Sequence, residues 1–566
     1  MVINRWNSAI QNALKKTRGL NDVVVTWSRP SDAAHGDIAT PVALQIAKQV
    51  GAKPVEIAQE LLTSLQGQPG VEKVEIAGPG YINVWLSPEG HLERLQSSIV
   101  ASEAIAERKE APVIVEYSQP NIAKPLGVHH LIGTVVGQAT ANLYQHAGYK
   151  VIRWNYIGDW GTQFGKLAVA YEKWGGKKSV KDHTIDELLA LYVRFHDEVE
   201  KDASLEEQGR EAFRALESGD KTLRTFWADV VAVTKASLAD VYSRLHVRFD
   251  LDLGESFYED KMAPVLAEGK KKAVFTEGEG GALIVQFPED KNMPPYLVLK
   301  GDGATLYSTR DLAQMRYRID TYNPQEILIF TDIAQKLHFE QLVETCVMLG
   351  WELPRFQNVL FGRMRFADSS MSTRKGNILS LEQVLQEGVA RAAKVIADRG
   401  EAIQTDDADA LAEMMGVGAL VYGILSQNRK QEIVFDWEKM LSFEGNSAPY
   451  LQYTHARACS VLRKAEMETV ALPKKAEALS AHERDVVNTL VGFADALQQA
   501  RKEHMPHILA NYLYALCQSY NAFYNADPIL TAQGTTRDLR LALTSLTAKV
   551  LRCGAELLTL RMPDRM

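Results

Sequence analysis

Cysteine is scarce. The 566-residue chain has four, Cys346, Cys459, Cys517 and Cys553. None stands near another, so no CxxC pair exists to hold a structural zinc. A disulfide framework is improbable on the same count, and buried reduced thiols are expected. Long hydrophobic runs are lacking too. No apolar stretch reads as a bilayer span, and the opening MVINRWNSAIQNALKK has no secretory apolar core. A soluble cytoplasmic protein with no membrane partner is the expectation. A positive excess is also absent. With 63 Lys and Arg against 71 Asp and Glu, the net charge is −8. That excludes wholesale polybasic character and leaves room for a local basic face toward nucleic acid. No repeat or low-complexity tract is visible.

At this length the chain can bury several cores, so two to four domains are expected. Residues 1–108 read as a small α/β unit. Helical spacing runs through PVALQIAKQV and PVEIAQELLTSL, and AGPGYINVWLS turns into a strand with Tyr81, Ile82, Val84 and Leu86. APVIVEYSQPN opens a different region, where Val113, Ile114 and Val115 form a continuous apolar strand of the buried parallel kind. A loop with Pro120, Pro125 and Gly127 leads to a helix ending at Gly148, and KVIRWNYIG is a second strand. This is a βαβ unit of a doubly wound sheet. Residues 171–260 look like a charged helical insertion. Strand signals return at ALIVQF, PYLVLK, EILIF and NVLFGRM. From about 411 to 566 nearly everything reads as helix, with Leu509, Tyr512, Leu513, Leu516, Tyr520 and Phe523 on one stripe. Residues 445–566 carry 14 Lys and Arg against 11 Asp and Glu, a local +3 that suits a bundle facing an RNA backbone.

Two stretches carry chemistry. NIAKPLGVHHLIGT, residues 121–134, lies between the apolar strand and the helix. A helix N-terminus offers unpaired N–H groups and a positive dipole end, so phosphate binds there. Gly127, Gly133 and Thr134 let it approach, His129 and His130 add donors, and Lys124 adds fixed charge. Taken alone, a plain connection with two surface histidines explains the same letters. DSSMSTRKGNILSL, residues 368–381, follows a strand. Its Arg374 and Lys375 suit a clamp facing charge that develops during phosphoryl or nucleotidyl transfer. Taken alone it is an ordinary basic loop.

In this order and at this separation, the pair resembles the HIGH and KMSKS signatures of class I aminoacyl-tRNA synthetases. VEYSQPNIAKP, NYIGDWGTQFGKL, LYSTRDLA, QKLHFEQL and FDWEKMLSFEGNSAPYLQYTHARACSVLRK narrow the resemblance to arginyl-tRNA synthetase. HGDIATPVALQIAK and AGPGYIN are similar to that family's additional tRNA-contacting domain. The resemblance implies that domain in 1–108, a Rossmann-type catalytic domain in 109–410 with the insertion at about 171–260, and an all-α anticodon-binding bundle in 411–566. It implies a two-step reaction. The arginine carboxylate attacks the α-phosphate of ATP, which comes with Mg2+, and expels pyrophosphate; the arginyl group then passes from the adenylate to tRNA(Arg), releasing AMP. No permanently bound metal and no DNA partner are expected, and a monomer is the family's usual state.

Residue roles follow from the same resemblance. The family's His-x-Gly-His reads Gly127-Val128-His129-His130 here, so His130 keeps the second histidine. Three outcomes stay open for the first: His129 takes its role, backbone N–H groups suffice, or activity is lower. Against Lys-Met-Ser-Lys-Ser the chain has Ser370-Met371-Ser372-Thr373-Arg374. Met371 and Ser372 keep their places beside ATP. The second lysine has become Thr373, and Lys124 is implied to stand in for it. Glu116, Ser118, Asn121, Tyr307, Asp311 and Gln335 match arginine-binding positions. Acids at 116 and 311 suit a guanidinium fork, with Ser118 and Asn121 at the amino-acid end. Tyr450, Tyr453, His455 and Arg457 lie in the anticodon-reading segment, where aromatic and Arg planes can stack on bases. The alternatives are a synthetase-like tRNA-binding protein that has lost catalysis and a class I synthetase of other specificity. The intact arginine-site residues argue against both.

Overall fold

The structure, a computed structural model, describes residues 2–30, 32–103, 110–367 and 380–566. Helix α1 (Val2–Arg18) turns Trp6, Ile10 and Leu14, spaced one turn apart, fully into the first core. β1 (Ile38–Thr40), α2 (Val42–Val50) and α3 (Pro54–Leu65) follow. α3 starts on Pro54, whose fixed φ suits a first helical turn. β2 (Val71–Ala77) and β3 (Tyr81–Leu86) complete an antiparallel sheet in the order β1-β3-β2. α4 (Pro88–Glu103) leaves this unit, and its Arg94 and Ser98 hydrogen-bond to Asn488 and the Val491 carbonyl near the C-terminus.

β4 (Val113–Glu116) is buried at all four positions, as a strand inside a parallel sheet must be. α5 (Leu131–His146) carries the chain to β5 (Val151–Asn155). Four helices follow, α6 (Thr162–Trp174), α7 (Ile185–Val199), α8 (Ser204–Glu217) and α9 (Lys221–Arg244). The chain is back in the sheet at β6 (Leu251–Asp252). After α10 (Met262–Lys271), β7 (Phe275–Glu277), β8 (Leu283–Val285) and β9 (Tyr296–Leu299) form a separate antiparallel sheet. α11 (Tyr307–Tyr322), β10 (Glu326–Asp332), α12 (Lys336–Met348) and β11 (Arg355–Phe361) then add two strands on the far side of β4. The order is β11-β10-β4-β5-β6, and every pair is parallel. β4 has β5 on one side and the later β10 on the other. A crevice therefore opens at its carboxyl end, where doubly wound sheets bind ligands.

β12 (Met364–Phe366) pairs with β13 (Ile433–Phe435), and between them run α13 (Leu381–Arg399) and α14 (Ala408–Leu425). Contrary to the expectation that no run is long enough to span a bilayer, α14 has 18 residues at mean hydropathy 1.4. It is 72% buried inside the protein, as a core helix is. After the short α15 (Trp437–Met440), the C-terminal region is helical: α16 (Ala448–Lys464), α17 (Ala481–Val491), α18 (Phe493–Glu503), α19 (Pro506–Ala526) and α20 (Gly534–Leu557). The stripe on α19 is fully buried at Leu509, Leu513, Leu516, Tyr520 and Phe523. Tyr512 is half-buried and donates to the Thr489 carbonyl at 3.0 Å. All four cysteines are unbridged; Cys346 and Cys517 are buried, whereas Cys459 and Cys553 are partly exposed.

Candidate active site

The loop after β4 is bent by residues in an unusual backbone region. Ser118, Gln119 and Ala123 have φ of 77°, 54° and 63°. Side chains rarely adopt such values except where surrounding structure holds them, as at binding sites. Ser118 is buried, with its hydroxyl 2.6 Å from the Tyr242 hydroxyl and 3.0 Å from that of Thr134. Asn121 is exposed at the crevice and bridges Gly158. A Cβ on Gly158 would lie 2.4 Å from Asn121 Oδ1, so only glycine permits that approach.

Gly127 opens a single turn, Val128–His130, that runs into α5. No side chain caps the α5 N-terminus, and its Leu131 N–H is already given to the Val128 carbonyl, so the place for an anion is the start of the histidine turn. The His129 and His130 rings lie 3.9 Å apart between centroids. His129 is exposed at the surface, and partial desolvation by its surroundings lowers its pKa. Burial, helped by His129, pushes His130 down to about 4, against the Gly127 carbonyl at 3.3 Å. Without a ligand His130 is therefore neutral at pH 7. Thr134 is fully buried and donates to the His130 carbonyl at 2.7 Å. Gly133 packs on Phe361, where a Cβ would sit 3.0 Å from the ring. Gly133 therefore lies in the α5–β11 packing, behind the opening, and Thr134 is turned inward toward Ser118. Lys124 is exposed, its ammonium 5.2 Å from the centroid of the Tyr192 ring on α7. Met371, Ser372, Arg374 and Lys375 lie outside the described residues. The segment that follows them returns beside the histidine turn: Gly127 bridges Ser380, and Leu381 donates to the Leu126 carbonyl at 2.7 Å.

Glu116 and Asp311 differ in their surroundings. Glu116 forms a buried ion pair with Arg318 and accepts from Gln119 at 2.6 Å and Gln314 at 3.4 Å. Arg318 is fully buried, 4.3 Å from the Trp154 ring centroid. Asp311 lies on the first turns of α11, 2.6 Å from His338 Nε2. His338 Nδ1 is 3.3 Å from the Tyr296 hydroxyl, and the exposed Tyr307 packs edge-on against the His338 ring at 4.9 Å. Glu255 is pushed up to about 7 by burial and by Asp311 and Asp159, against Arg310 at 3.9 Å. Tyr156 is driven well above its ordinary value, by burial first and then by Asp311, Glu255, Tyr258 and Glu116. Acids from β4, α11 and the turn after β6 each add to that rise. Gln335 is exposed at the end of the turn leading into α12. Sequence reasoning missed Glu255, Tyr156 and His338. The last two stood inside quoted segments, and Glu255 stood in ESFYED with nothing local to single it out.

The anticodon-segment residues divide as well. A cleft of 420 Å³ is lined by Tyr453, Arg457, Ser460, Arg463, Lys464 and Tyr524 among others. Arg457 lies 4.8 Å from the Tyr453 ring centroid and 4.9 Å from that of Tyr524. The half-buried Tyr450 accepts from Asn521 at 3.1 Å. His455 is fully buried, with Nδ1 2.9 Å from the Pro563 carbonyl, and does not reach the surface. Among the described residues, His455, Cys459 and Asp564 bring metal-capable atoms within 4.8 Å of one another. Arg552 pairs with Asp564 and Arg463 donates to its backbone carbonyl, so fixed positive charge already stands where a cation would go. In the first unit, Ser28, Arg29, His35, Tyr81 and Asn83 help line an open hollow of 610 Å³.

Three family models match the chain in succession: the arginyl tRNA synthetase N-terminal domain over residues 4–86, the catalytic domain of class I (R) tRNA synthetases over 94–437, and the DALR anticodon binding domain over 451–566. The chain is similar to the arginine–tRNA ligase of Fusobacterium nucleatum, at 38% identity over 94% of this chain and 93% of that one. It is similar to that of Clostridioides difficile at 37% identity over 99% of both. Among solved structures, the Thermus thermophilus arginyl-tRNA synthetase superposes with a TM-score of 0.82 at 27% identity, covering all of both chains.

Proposed function

The chain belongs to the class I arginyl-tRNA synthetase family, and from that premise we propose how its own residues carry the reaction. It is an arginine–tRNA ligase that uses ATP to attach arginine to tRNA. No finding supports the catalytically impaired alternative. The observation that carries the residue assignment is Asp311 held 2.6 Å from His338, whose ring is flanked by Tyr296 and Tyr307. A guanidinium is always charged and planar, so it seeks such acids and aromatic faces. Asp311 and Glu255 take it, Tyr307 and Gln335 close the mouth, and Asn121 receives the α-amino end. Ser118 and Glu116 shape the floor, the first through Tyr242 and the second through Arg318.

ATP enters as its magnesium complex and lays its phosphates against the start of the histidine turn. In-line attack of the arginine carboxylate on the α-phosphate needs positioning and charge stabilisation rather than a covalent nucleophile. His130, neutral until phosphate arrives, becomes a charged donor as the anion raises its pKa. His129 lies beside it in place of the missing first histidine. Lys124, Arg374 and Lys375 supply positive charge, and Met371 and Ser372 border the nucleotide.

The same proposal includes the domain division at 1–108, 109–410 and 411–566; the family models follow in the same order, with the catalytic one running from 94 to 437. It also includes tRNA(Arg) as the RNA, read by the Tyr453–Arg457 cleft and held by the N-terminal hollow, and a monomer in the cytoplasm. Purified protein should convert ATP, arginine and tRNA(Arg) to charged tRNA, and should exchange labelled pyrophosphate into ATP when arginine and tRNA are both present. No exchange and no charging would refute the proposal.

A further inference from the structure

The three elements that carry the site are gripped at their far ends by one buried cluster. α5 starts at the histidine turn and reaches Tyr144 near its end. β10 runs from Glu326 to Asp332, just ahead of Gln335. β11 runs from Arg355 to Phe361, which packs on Gly133. At the remote ends, the Tyr144 hydroxyl donates to Glu326 at 2.9 Å and lies 2.9 Å from His504 Nε2. With its amide nitrogen turned toward His504, Gln357 donates to Nδ1 at 3.0 Å while its oxygen accepts from Arg355 at 2.7 Å. His504 comes from the helical bundle, where it ends α18 at φ 54°. Arg429 donates to the His504 carbonyl at 2.7 Å and also to the Leu360 carbonyl of β11. Arg501, on α18, lies over the Tyr144 and Tyr149 rings at 5.4 and 5.1 Å.

We propose that His504 is a positioning residue for aminoacylation: reaching out of the RNA-binding bundle, it fixes the far ends of α5, β10 and β11 and so sets the site at their near ends. This rests on the synthetase reading above. The hydrogen bonds name one tautomer. Tyr144 spends its proton on Glu326, so Nε2–H must donate to Tyr144 while Nδ1 accepts from Gln357. Burial and the neighbouring Arg429, Arg355 and Arg501 hold His504 down to about 3, in keeping with that neutral ring. A small displacement of three rigid elements is enough to spoil an in-line geometry.

The test uses the full-length enzyme, tRNA(Arg) transcript and an anticodon stem-loop RNA. Tyr144→Phe keeps the ring and removes the hydroxyl. His504→Ala removes both imidazole contacts, and His504→Gln restores a donor near the Nε2 position. The expected result is a charging kcat lowered on the order of 10- to 100-fold in Tyr144→Phe and His504→Ala. The double variant should be no worse than the poorer single, and His504→Gln should recover most of the loss. Stem-loop affinity and the KM for tRNA should hold. A lower melting temperature with unchanged kcat per titrated active site would overturn the inference, because the cluster would then only hold the fold. Lost stem-loop binding with unchanged arginine activation would overturn it too. A wild-type enzyme that charges no tRNA with arginine would bring down the synthetase reading itself. Variants that match a working wild type would bring down this inference alone.

Discussion

Three acids at one crevice live in different electrostatic states. Glu116, 1% exposed, is matched inside the fold by Arg318, which is fully buried. Asp311 lies 2.6 Å from His338, and Glu255 lies 3.9 Å from Arg310. The first acid has spent its charge on folding. Asp311 and Glu255 have looser partners, a histidine that is charged only when protonated and a guanidinium at 3.9 Å, so they are still ready to take a cation from solvent. Burial separates them, since the Glu116 side chain is 2% exposed against 13% for Asp311 and 23% for Glu255. So does how closely the fold supplies the counter-charge.

The largest expected effect lies on the matched side. Glu116→Gln strands a buried guanidinium, and losing one partner of a buried pair costs about 3–5 kcal/mol. The melting temperature should fall steeply. Replacing Arg318 by Met in the same chain should recover much of it, since removing both charges is far cheaper than removing one. Asp311→Asn should do the reverse. Its KM for arginine should rise on the order of 100-fold, with melting temperature and KM for ATP close to wild type, as when one partner of a charged recognition pair is removed. If Glu116→Gln left stability intact and raised the arginine KM like Asp311→Asn, the distinction between the two acids would be broken.

Much of this arrangement was legible in the sequence, because it is written locally. β4 shows as an unbroken apolar run, α5 as a helix after a glycine-bearing loop, and the α19 stripe as helical spacing. Glu116 and Asp311 were found through the motifs around them. Their electrostatic states were not, because the deciding partners are distant in the chain: Arg318 lies on α11, and Glu255 in the turn after β6. The same limit applies to His455, which looks like an RNA contact until the Pro563 carbonyl buries against it. Gly133 looks like a phosphate-loop glycine until Phe361 packs on it. α14 shows the inverse case, since its apolarity is local but its burial depends on the helices around it.

A pH profile sharpens the comparison from the ready side. Glu255 ionises at about 7 in the folded chain, so its charge is complete only above that value. The kcat/KM for arginine, which reports free-enzyme groups, should rise on the order of tenfold between about pH 6 and about pH 8. Glu255→Gln should flatten that rise. Folding stability moves the other way. The folded pKa lies above the ordinary 4.5, so the unfolded chain gives up its proton first. The contribution is fully present below about pH 4.5 and is lost as pH rises through about 7. Glu255→Gln should therefore gain melting temperature relative to wild type at pH 8 and not at pH 4. A profile that survives the substitution unchanged would assign the titration to another group.

The smallest effect concerns a charge that is neither matched nor waiting. Lys124 is exposed, and its ammonium rests 5.2 Å from the Tyr192 ring centroid. A ring holds an exposed ammonium by about 0.5–1 kcal/mol, far less than a buried carboxylate holds a guanidinium. Such a hold can keep the lysine out of the nucleotide's path without anchoring it. If Lys124 must leave the ring to meet ATP, that interaction is subtracted from ATP binding. Tyr192→Leu, which keeps apolar bulk and removes the ring, should lower the KM for ATP roughly 2- to 5-fold with the rate of arginine activation unchanged. Tyr192→Trp, with the stronger ring face, should raise it. A higher KM for ATP in Tyr192→Leu would mean that the ring aims Lys124 at the phosphates rather than holding it back. Lys124 would then belong with Arg318, as a cation whose place the fold has already decided.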